Sequence, residues 1–155
     1  MLKDHKKFFD LAYKEAVKAF EKDEVPVGAV IVKDGEVISK AYNQRITRNN
    51  AVYHAEILAI EKACKRLNSY RLDGCSIYIT LEPCLMCSGA IIQARIKEVY
   101  FGSKNEKEGA VITKYTVFDD KKFPHKPKYF YMPDDRFSQL LKEFFKTKRN
   151  INRDR

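Results

Sequence analysis

The sequence predicts an α/β protein whose mixed sheet is covered by helices on both faces, and three observations support this prediction. Segments with apolar residues at helical spacing alternate with short β-branched runs along the chain. The turn sequence Lys33-Asp34-Gly35-Glu36 joins two of these runs, and Asp-Gly supplies the positive φ angles of a hairpin. The run over residues 27–32 is apolar throughout, which is typical of a buried strand.

Each predicted element depends on a local pattern. Apolar residues three and four apart predict a first helix over residues 4–21, and Pro26 prevents its continuation. A second helix is predicted over residues 55–67. A third is predicted over residues 83–96, because Pro83 suits a first helical turn, where its missing N–H is not needed. Apolar and β-branched runs predict strands at residues 27–32, 37–42, 76–80 and 98–101.

The last part of the chain is predicted to contain one more strand and one more helix. The strand is expected near residues 129–132. Asp134 or Asp135 is expected to cap the helix. No repeat or linker divides the sequence, so residues 1–155 are predicted to form a single domain, with a basic tail frayed from about residue 149. The apolar side chains that this last helix is expected to bury are Phe137, Leu140, Leu141, Phe144 and Phe145.

Composition limits the possible classes of function. With 30 Lys and Arg against 21 Asp and Glu, the formal charge of +9 favours a polyanionic partner, although many basic proteins bind no nucleic acid. No apolar run approaches the ~18 residues of a membrane helix. The charged N-terminus lacks the apolar core of a signal peptide. We therefore expect a cytoplasmic protein with no membrane partner and with reduced cysteines.

Two short motifs have the pattern of a catalytic metal site. His54 and Glu56 stand at the start of one predicted helix, and Cys84 and Cys87 stand at the start of another. Zn²⁺ prefers thiolate and imidazole ligands, and a catalytic zinc site keeps three protein ligands with a fourth position open. Cys84 and Cys87 lie three residues apart, so their sulfurs share one side of the first turn. His54, Cys84 and Cys87 are therefore predicted to hold one zinc ion per chain.

Glu56 is predicted to move protons rather than to bind the metal. At a helix N-terminus its carboxylate can reach the same centre as His54. There it can take a proton from water that the metal activates and pass it to a leaving amine. The combination H-x-E and P-C-x-x-C is the signature of zinc-dependent nucleobase deaminases.

Two other interpretations of the cysteines stay open. Cys84 and Cys87 can form a redox pair, although this leaves the H-x-E motif unexplained. A purely structural zinc site needs a fourth ligand, which Cys75 or His125 can supply. Otherwise Cys75, and Cys64 on the apolar face of its helix, are expected to be core residues.

With these motifs and their flanking segments, the sequence resembles the tRNA adenosine deaminase family, whose members convert the wobble-position adenosine of certain tRNAs to inosine. The resemblance covers nearly the whole chain, from the first helix to about residue 149. The flanking segments favour this family, because guanine, cytosine and cytidine deaminases share the metal motifs. The matching segments are residues 24–30 (EVPVGAV), 54–60 (HAEILAI), 81–90 (LEPCLMCSGA), 94–96 (ARI) and 144–146 (FFK).

The resemblance implies a three-layer α/β/α sandwich of the cytidine-deaminase-like type around a five-stranded mixed sheet. It also implies a zinc cofactor, a homodimer and a tRNA anticodon stem-loop as the partner. Asn43 is expected to contact the edge of the base, because an amide both donates and accepts hydrogen bonds; a role as a turn residue is the alternative. The other substrate-binding residues that the resemblance suggests are Val27, Tyr53, Ala55, Asn105 and Phe145.

Two positions depart from the family pattern. Before His54 the family usually has Asp-Pro-Thr-Ala, whereas this chain has Asn50-Ala51-Val52-Tyr53. Tyr53 is expected to narrow the pocket, to add a stacking face or to pack into the fold. At the position of Asn105 the family usually has an aspartate that contacts the ribose. Because an amide offers no charged acceptor to a 2′-hydroxyl, Asn105 is expected to weaken discrimination between RNA and DNA.

Basic and aromatic residues near the C-terminus are candidates for RNA contacts. Lys146, Lys148 and Arg149 are predicted to contact phosphates of the anticodon stem, with a solvated helix face as the alternative. Four aromatic residues are predicted either to stack on unpaired bases or to belong to the core. These are Phe123, Tyr129, Phe130 and Tyr131.

The sequence thus predicts a zinc-dependent hydrolytic deaminase that converts adenosine to inosine at the wobble position of tRNA. The nearest alternative keeps the chemistry but changes the substrate. It acts on cytosine or adenine in single-stranded nucleic acid, or on a free base or nucleoside such as guanine. An alternative of another class is a non-catalytic RNA-binding module stabilised by zinc.

Overall fold

A computed structural model describes residues 2–148, and this part of the chain contains four α-helices, a 3₁₀ turn and a five-stranded sheet. Most of these elements lie within one or two residues of their predicted positions. In chain order they are α1 (Leu2–Glu21), β1 (Gly28–Lys33), β2 (Glu36–Tyr42), α2 (Ala55–Leu67), β3 (Cys75–Ile79), α3 (Leu85–Gln93), β4 (Glu98–Phe101), the 3₁₀ turn (Val117–Asp119), β5 (Lys128–Tyr131) and α4 (Asp135–Thr147).

The sheet is mixed, with the strand order β2-β1-β3-β4-β5. β1 pairs antiparallel with β2 and β3, whereas β4 is parallel to both β3 and β5. The predicted hairpin between β1 and β2 is confirmed, and Asp34 and Gly35 both take a positive φ in its turn. α3 connects β3 to β4, since parallel neighbours need a crossover. The predicted α/β class and five-stranded mixed sheet are confirmed.

Both faces of the sheet are buried under helices, which gives three layers. Successive residues of a strand point to opposite faces. One face packs against α2 and α3 through side chains such as Ile31 and Ile79. The other packs against α1 and α4 through side chains such as Val30 and Tyr78. Within residues 2–148, no helix combines the length and the apolar character needed to cross a membrane.

Strand directions bring four chain segments to one edge of the sheet. Because β1 is antiparallel to its neighbours, its start lies beside the ends of β2 and β3, with Gly28 paired to Tyr42 and Ala29 paired to Ile79. The end of β4 reaches the same edge, where Phe101 is paired to Ile79. Ligand sites of open α/β sheets usually lie beyond such strand ends, near a change in strand direction or order.

Two predictions about α3 are wrong in detail. Pro83 lies one residue before the N-cap Cys84, and not in the first turn of the helix. α3 ends at Gln93 rather than at residue 96. Arg95 takes a φ of 64°, and a non-glycine residue in this left-handed region cannot continue a right-handed helix.

The last helix follows its prediction at the cap and departs from it at Phe145. The Asp134 side chain accepts a hydrogen bond from the backbone N–H of Arg136, as an N-cap does. Phe137 and Phe144 are buried, whereas Leu140 and Leu141, which were also predicted to be buried, are half-buried. Phe145 was predicted to be buried but is 41% exposed, because it lies about 100° around the helix from Phe144. The frayed tail predicted from residue 149 lies outside the described residues.

Candidate active site

His54, Cys84 and Cys87 form a cluster of metal-ligating side chains at this edge of the sheet. The Nδ1 atom of His54 lies 3.6 Å from the Sγ atom of Cys84 and 3.4 Å from the Sγ atom of Cys87. All three side chains are buried, and their ligand atoms lie within 4.8 Å of one another. Over residues 2–148, this is the one group of three or more His, Cys, Asp or Glu side chains that could hold a metal ion. The donor set, one imidazole and two thiols, fits the preference of zinc.

Both halves of the cluster lie at helix N-termini. His54 is the N-cap of α2 and Cys84 is the N-cap of α3, and neither side chain makes a capping hydrogen bond. An N-cap that forgoes this bond costs a helix about 0.5–2 kcal/mol. The two helix ends also direct partial positive charge toward the cluster, which favours anions such as thiolates there. At both helix starts, the N-cap residue is therefore a potential metal ligand and not a side chain that stabilises the helix by capping it.

Glu56 lies in the first turn of α2, two residues after His54, and its side chain is completely buried. It is not a member of the ligand cluster. A carboxylate beside a metal site that is not itself a ligand can accept and donate protons there. The role of Glu56 in proton transfer stays a prediction.

The alternative metal ligands do not join the cluster. Cys75 stands at the start of β3, whereas the cluster follows the end of that strand. The Nε2 atom of His125 lies 3.0 Å from the carbonyl oxygen of Ile96. Burial raises the pKa of the Cys64 and Cys75 thiols, so both stay protonated, whereas a metal ligand must be a thiolate. The cysteines form no disulfide. The structure therefore does not support a four-ligand structural site.

An open cavity of about 390 Å³ leads to the cluster. His54 and Cys84 are part of its lining, and the sequence analysis gave no role in substrate binding to any of the other lining residues. One signal could have identified two of them: in a C-x-x-C motif whose sulfurs point inward, the two intervening side chains must point outward. The residues missed are Arg45, Ala51, Leu85, Met86, Lys107, Glu108 and Tyr115.

Two loops form the rim of this cavity. The first rim loop, residues 43–53, follows β2, and the second rim loop, residues 103–115, follows β4. A buried glutamate anchors each loop. The Glu24 carboxylate accepts hydrogen bonds from the backbone N–H groups of Ile46 and Thr47 in the first rim loop. The Glu82 carboxylate likewise accepts hydrogen bonds from backbone N–H groups of the second rim loop.

Glu82 is completely buried and is surrounded by hydrogen-bond donors. Burial alone raises the pKa of its carboxyl group. The hydrogen bonds from Thr113 and from backbone N–H groups outweigh burial, so the pKa lies below its ordinary value. Glu82 is therefore a carboxylate at neutral pH. Its donors are the backbone N–H groups of Asn105, Val111, Ile112 and Thr113 and the hydroxyl group of Thr113.

Three predicted substrate residues are buried at the sheet edge. Asn43 follows β2 and is 1% exposed, and its Nδ2 atom donates to the Val25 carbonyl oxygen at 3.2 Å. Its Oδ1 atom is also buried and accepts no hydrogen bond from the described residues. A buried acceptor without a donor costs about 1–3 kcal/mol, and a ligand that donates to it removes this cost. Val27, just before β1, and Ala55, the first residue of α2, are completely buried.

The two residues that depart from the family pattern have roles within the protein. Tyr53 is half-buried against the core under α2, and the Arg48 guanidinium lies 4.8 Å from the centre of its ring. Tyr53 does not line the cavity, so the structure favours packing into the fold over narrowing of the pocket. Asn105 is 8% exposed, and its Oδ1 atom accepts a hydrogen bond from the Glu108 N–H at 3.1 Å.

The predicted C-terminal contacts do not reach the cavity. Phe145 and Lys146 are exposed on α4, and neither they nor Lys148 line it. Lys148 instead forms an ion pair with Asp23. Arg149 lies outside the described residues.

Three of the four candidate aromatic residues, Tyr129, Phe130 and Tyr131, lie on β5. Phe130 stacks on Tyr100 and Tyr131 stacks on Phe101, with ring centroids 4.9 and 5.4 Å apart. Phe130 is still 40% exposed and Tyr131 38% exposed. These two rings therefore extend the aromatic packing of β4 onto β5, the outermost strand of the sheet. They do not line the cavity.

Comparison with known proteins gives consistent matches along the chain. The sequence model of the MafB19-like deaminase family matches residues 3–149. A tRNA-specific adenosine deaminase of Aquifex aeolicus (strain VF5) is 48% identical over 143 residues, which cover 92% of this chain and 95% of the relative.

A solved structure from work on A-to-I editing by tRNA:A34 deaminases at the wobble position of transfer RNA superimposes with a TM-score of 0.85. It is 40% identical and covers 88% of this chain and 99% of that one. Guanine deaminase from Bacillus subtilis superimposes with a TM-score of 0.62 at 30% identity and covers 97% of each chain.

The fold, the His-Cys-Cys cluster and these matches define a deaminase, and the chain is therefore an enzyme of that class. This excludes the non-catalytic RNA-binding module. The cytidine-deaminase-like architecture implied by the resemblance is also confirmed. More narrowly, the chain belongs to the family of tRNA-specific adenosine deaminases.

Proposed function

We propose that this enzyme is a zinc-dependent hydrolytic deaminase that converts adenosine to inosine at the wobble position of tRNA. The observation that carries the proposal is the buried cluster of His54, Cys84 and Cys87, with Glu56 buried close by in the chain and an open cavity leading to the cluster. The relatives named as tRNA-specific adenosine deaminases support the choice of substrate.

The proposed roles follow from chemistry and position. When bound by His54, Cys84 and Cys87, zinc supplies a Lewis acid that activates water. In the overall reaction, water adds its oxygen to C6 of adenine, and ammonia leaves from the same carbon. Glu56 takes one proton from water and delivers it to the ring nitrogen. It then takes the second proton from the hydroxyl group now bound to C6 and delivers it to the departing amine, so that C6 becomes a carbonyl carbon and ammonia leaves. Asn43 offers its buried Oδ1 atom to a donor on the base edge.

The mouth of the cavity suits a base that is still attached to a polynucleotide. Arg45 and Lys107 place two positive charges on the rim loops against the one negative charge of Glu108, so the net positive charge there favours the phosphates that flank the bound base. Leu85 and Tyr115 present exposed apolar surface beside them, on which neighbouring bases can pack. A base in an anticodon loop is already unpaired, so turning it into the cavity costs little.

Guanine deamination is the second candidate, because a guanine deaminase shares the fold at 30% identity. A small neutral base has no phosphate to pair with the cations at the mouth. The formal charge of +9 on the whole chain also favours the polyanionic substrate.

An assay with matched anticodon stem-loops tests the proposal directly. The enzyme receives RNA and DNA stem-loops that carry adenosine or cytidine at the wobble position, and free guanine in a parallel reaction, with all products read by mass. We expect inosine from the adenosine loops, formed fastest from RNA. Conversion of free guanine without conversion of any adenosine loop would transfer the assignment to the second candidate.

Asn105→Asp is expected to raise the ratio of RNA to DNA deamination rates about tenfold, the effect of one charged hydrogen bond. An aspartate preserves the Oδ1 acceptor for the Glu108 N–H, so the turn is kept while a charged acceptor becomes available to a 2′-hydroxyl. Initial rates on the matched RNA and DNA adenosine loops measure the ratio. Glu106→Gln, an exposed change in the same loop, is the control for loop charge. Equal ratios for Asn105→Asp and the unmodified enzyme would exclude Asn105 as a determinant of sugar choice.

From the sequence and its resemblance to the family, we also infer that the enzyme has one deaminase domain, forms a homodimer and is located in the cytoplasm. Met86 and Val52 are exposed apolar side chains that a second copy of the chain can cover. Contacts of Lys146, Lys148 and Arg149 with RNA phosphates stay predictions.

A further inference from the structure

We propose that Glu82 is a positioning residue for the substrate: its carboxylate sets the shape of the second rim loop and thereby the affinity for the RNA. This inference deepens the proposed function and rests on it. Glu82 is not one of the residues of the metal cluster or of the cavity lining. All of its side-chain hydrogen bonds shown in the structure go to the second rim loop, so we assign its effect to the shape of that loop.

The first argument is that one carboxylate joins the two ends of the loop. The Oε1 atom accepts from the Asn105 N–H at 3.2 Å, near the start of the loop. The Oε2 atom accepts from the Ile112 N–H at 2.8 Å and from the Thr113 N–H at 3.1 Å, near its end. A hydrogen bond from the Glu82 N–H to the Ser103 carbonyl oxygen, at 2.8 Å, adds a backbone connection. The loop is thus closed around Glu82.

The second argument is the close approach of Gly109. A Cβ atom at this position would lie 2.5 Å from the Glu82 carboxylate and 2.6 Å from the Asn105 carbonyl oxygen. Both contacts are shorter than real Cβ atoms show, so the loop can wrap around the carboxylate only with glycine here. The position of the Glu82 side chain therefore requires a glycine at position 109.

The third argument is what the loop carries. Lys107, Glu108 and Tyr115 line the cavity, and the first two belong to the turn that Asn105 holds through the Glu108 N–H. The Ala110 N–H donates to the Pro83 carbonyl oxygen at 2.9 Å, so the loop is also aligned with the segment that bears Cys84. A change in loop shape moves the substrate-facing side chains while His54, Cys84 and Cys87 stay on their own helices.

Glu82→Gln tests the proposal, because the amide keeps the shape but replaces one acceptor oxygen with a donor that opposes the backbone N–H groups. We expect kcat/KM for the RNA stem-loop to fall about 10- to 100-fold, mostly through KM, with zinc content unchanged. Gly109→Ala should act in the same direction. Thr113→Val removes a single donor and leaves the carboxylate in place, so it should give a smaller rise in KM and keeps the test open if the other variants fold poorly. Glu106→Gln, on the exposed side of the same loop, should leave KM unchanged.

Hydrogen exchange separates this proposal from the proposed function. In Glu82→Gln, peptides that cover residues 103–115 should exchange faster, while residues 44–48 stay protected. Glu24→Gln should show the reverse pattern, because Glu24 binds the N–H groups of Ile46 and Thr47. Unchanged exchange over residues 103–115 together with an unchanged KM would overturn the proposal. If the unmodified enzyme converts no adenosine stem-loop, the proposed function fails, and the exchange data still decide whether Glu82 holds the loop.

Discussion

Glu56→Gln is expected to lower kcat for the RNA stem-loop about 10³-fold, while zinc content and RNA affinity stay close to those of the unmodified enzyme. Glutamine has nearly the shape of glutamate, but it cannot take a proton from water and pass it to an amine. Glu56 is completely buried and is not part of the ligand cluster, so the change removes a proton carrier and leaves the three ligands intact. Single-turnover deamination, metal analysis and RNA binding of one preparation measure the three quantities.

Glu61→Gln provides the matched control for this experiment. Glu61 is an exposed glutamate on the same helix, α2, and its replacement should leave kcat unchanged. A Glu56→Gln enzyme that deaminates at the unmodified rate would show that another group carries the proton. Loss of zinc from Glu56→Gln would instead make Glu56 a support of the metal ligands.

The metal cluster could be predicted from the sequence because ligand chemistry restricts the residue types and because helix starts are local signals. His54 and Cys84 were placed at helix starts from Pro83 and from the apolar spacing of the following residues, and both prove to be N-caps. The order of helices and strands along the chain needed only the hairpin turn and the alternation of apolar patterns, whereas the order of the strands within the sheet was not predicted. These features depend on neighbours within a few residues in the chain.

The walls of the cavity could not be predicted in the same way. Arg45 and Lys107 face one cavity because β2 and β4 end at the same sheet edge, which depends on the pairing of both through β1 and β3. The side-chain hydrogen bonds of Glu82 reach between 23 and 31 residues along the chain, and no local sequence pattern predicts them. Phe145 shows a different limit: a helical spacing identifies the buried stripe of α4 but not its width, and Phe145 lies outside it.

Cys87→Ala is expected to lose both the metal and the activity. Cys87 is completely buried and its Sγ atom lies 3.4 Å from Nδ1 of His54, so its removal leaves two ligands for an ion that needs three. Zinc content should fall from one per chain to background, and deamination should fall below detection. Zinc at about 100 times its Kd stabilises a folded protein by about 2.7 kcal/mol. At roughly 2–4 °C per kcal/mol for a chain of this size, its loss should lower Tm by about 5–10 °C.

Cys64→Ala distinguishes loss of a ligand from loss of a cysteine. Cys64 is half-buried on α2, its thiol stays protonated because burial raises its pKa, and it lies outside the cluster. The Cys64→Ala enzyme should keep one zinc per chain and its full rate.

Removal of zinc from the unmodified enzyme by a chelator should reproduce the Tm and activity of Cys87→Ala, and added zinc should restore only the unmodified chain. A Cys87→Ala enzyme that binds zinc fully and deaminates normally would exclude Cys87 as a ligand. Because two helix N-termini meet at this cluster without capping side chains, their stability and the chemistry are expected to depend on the same ion.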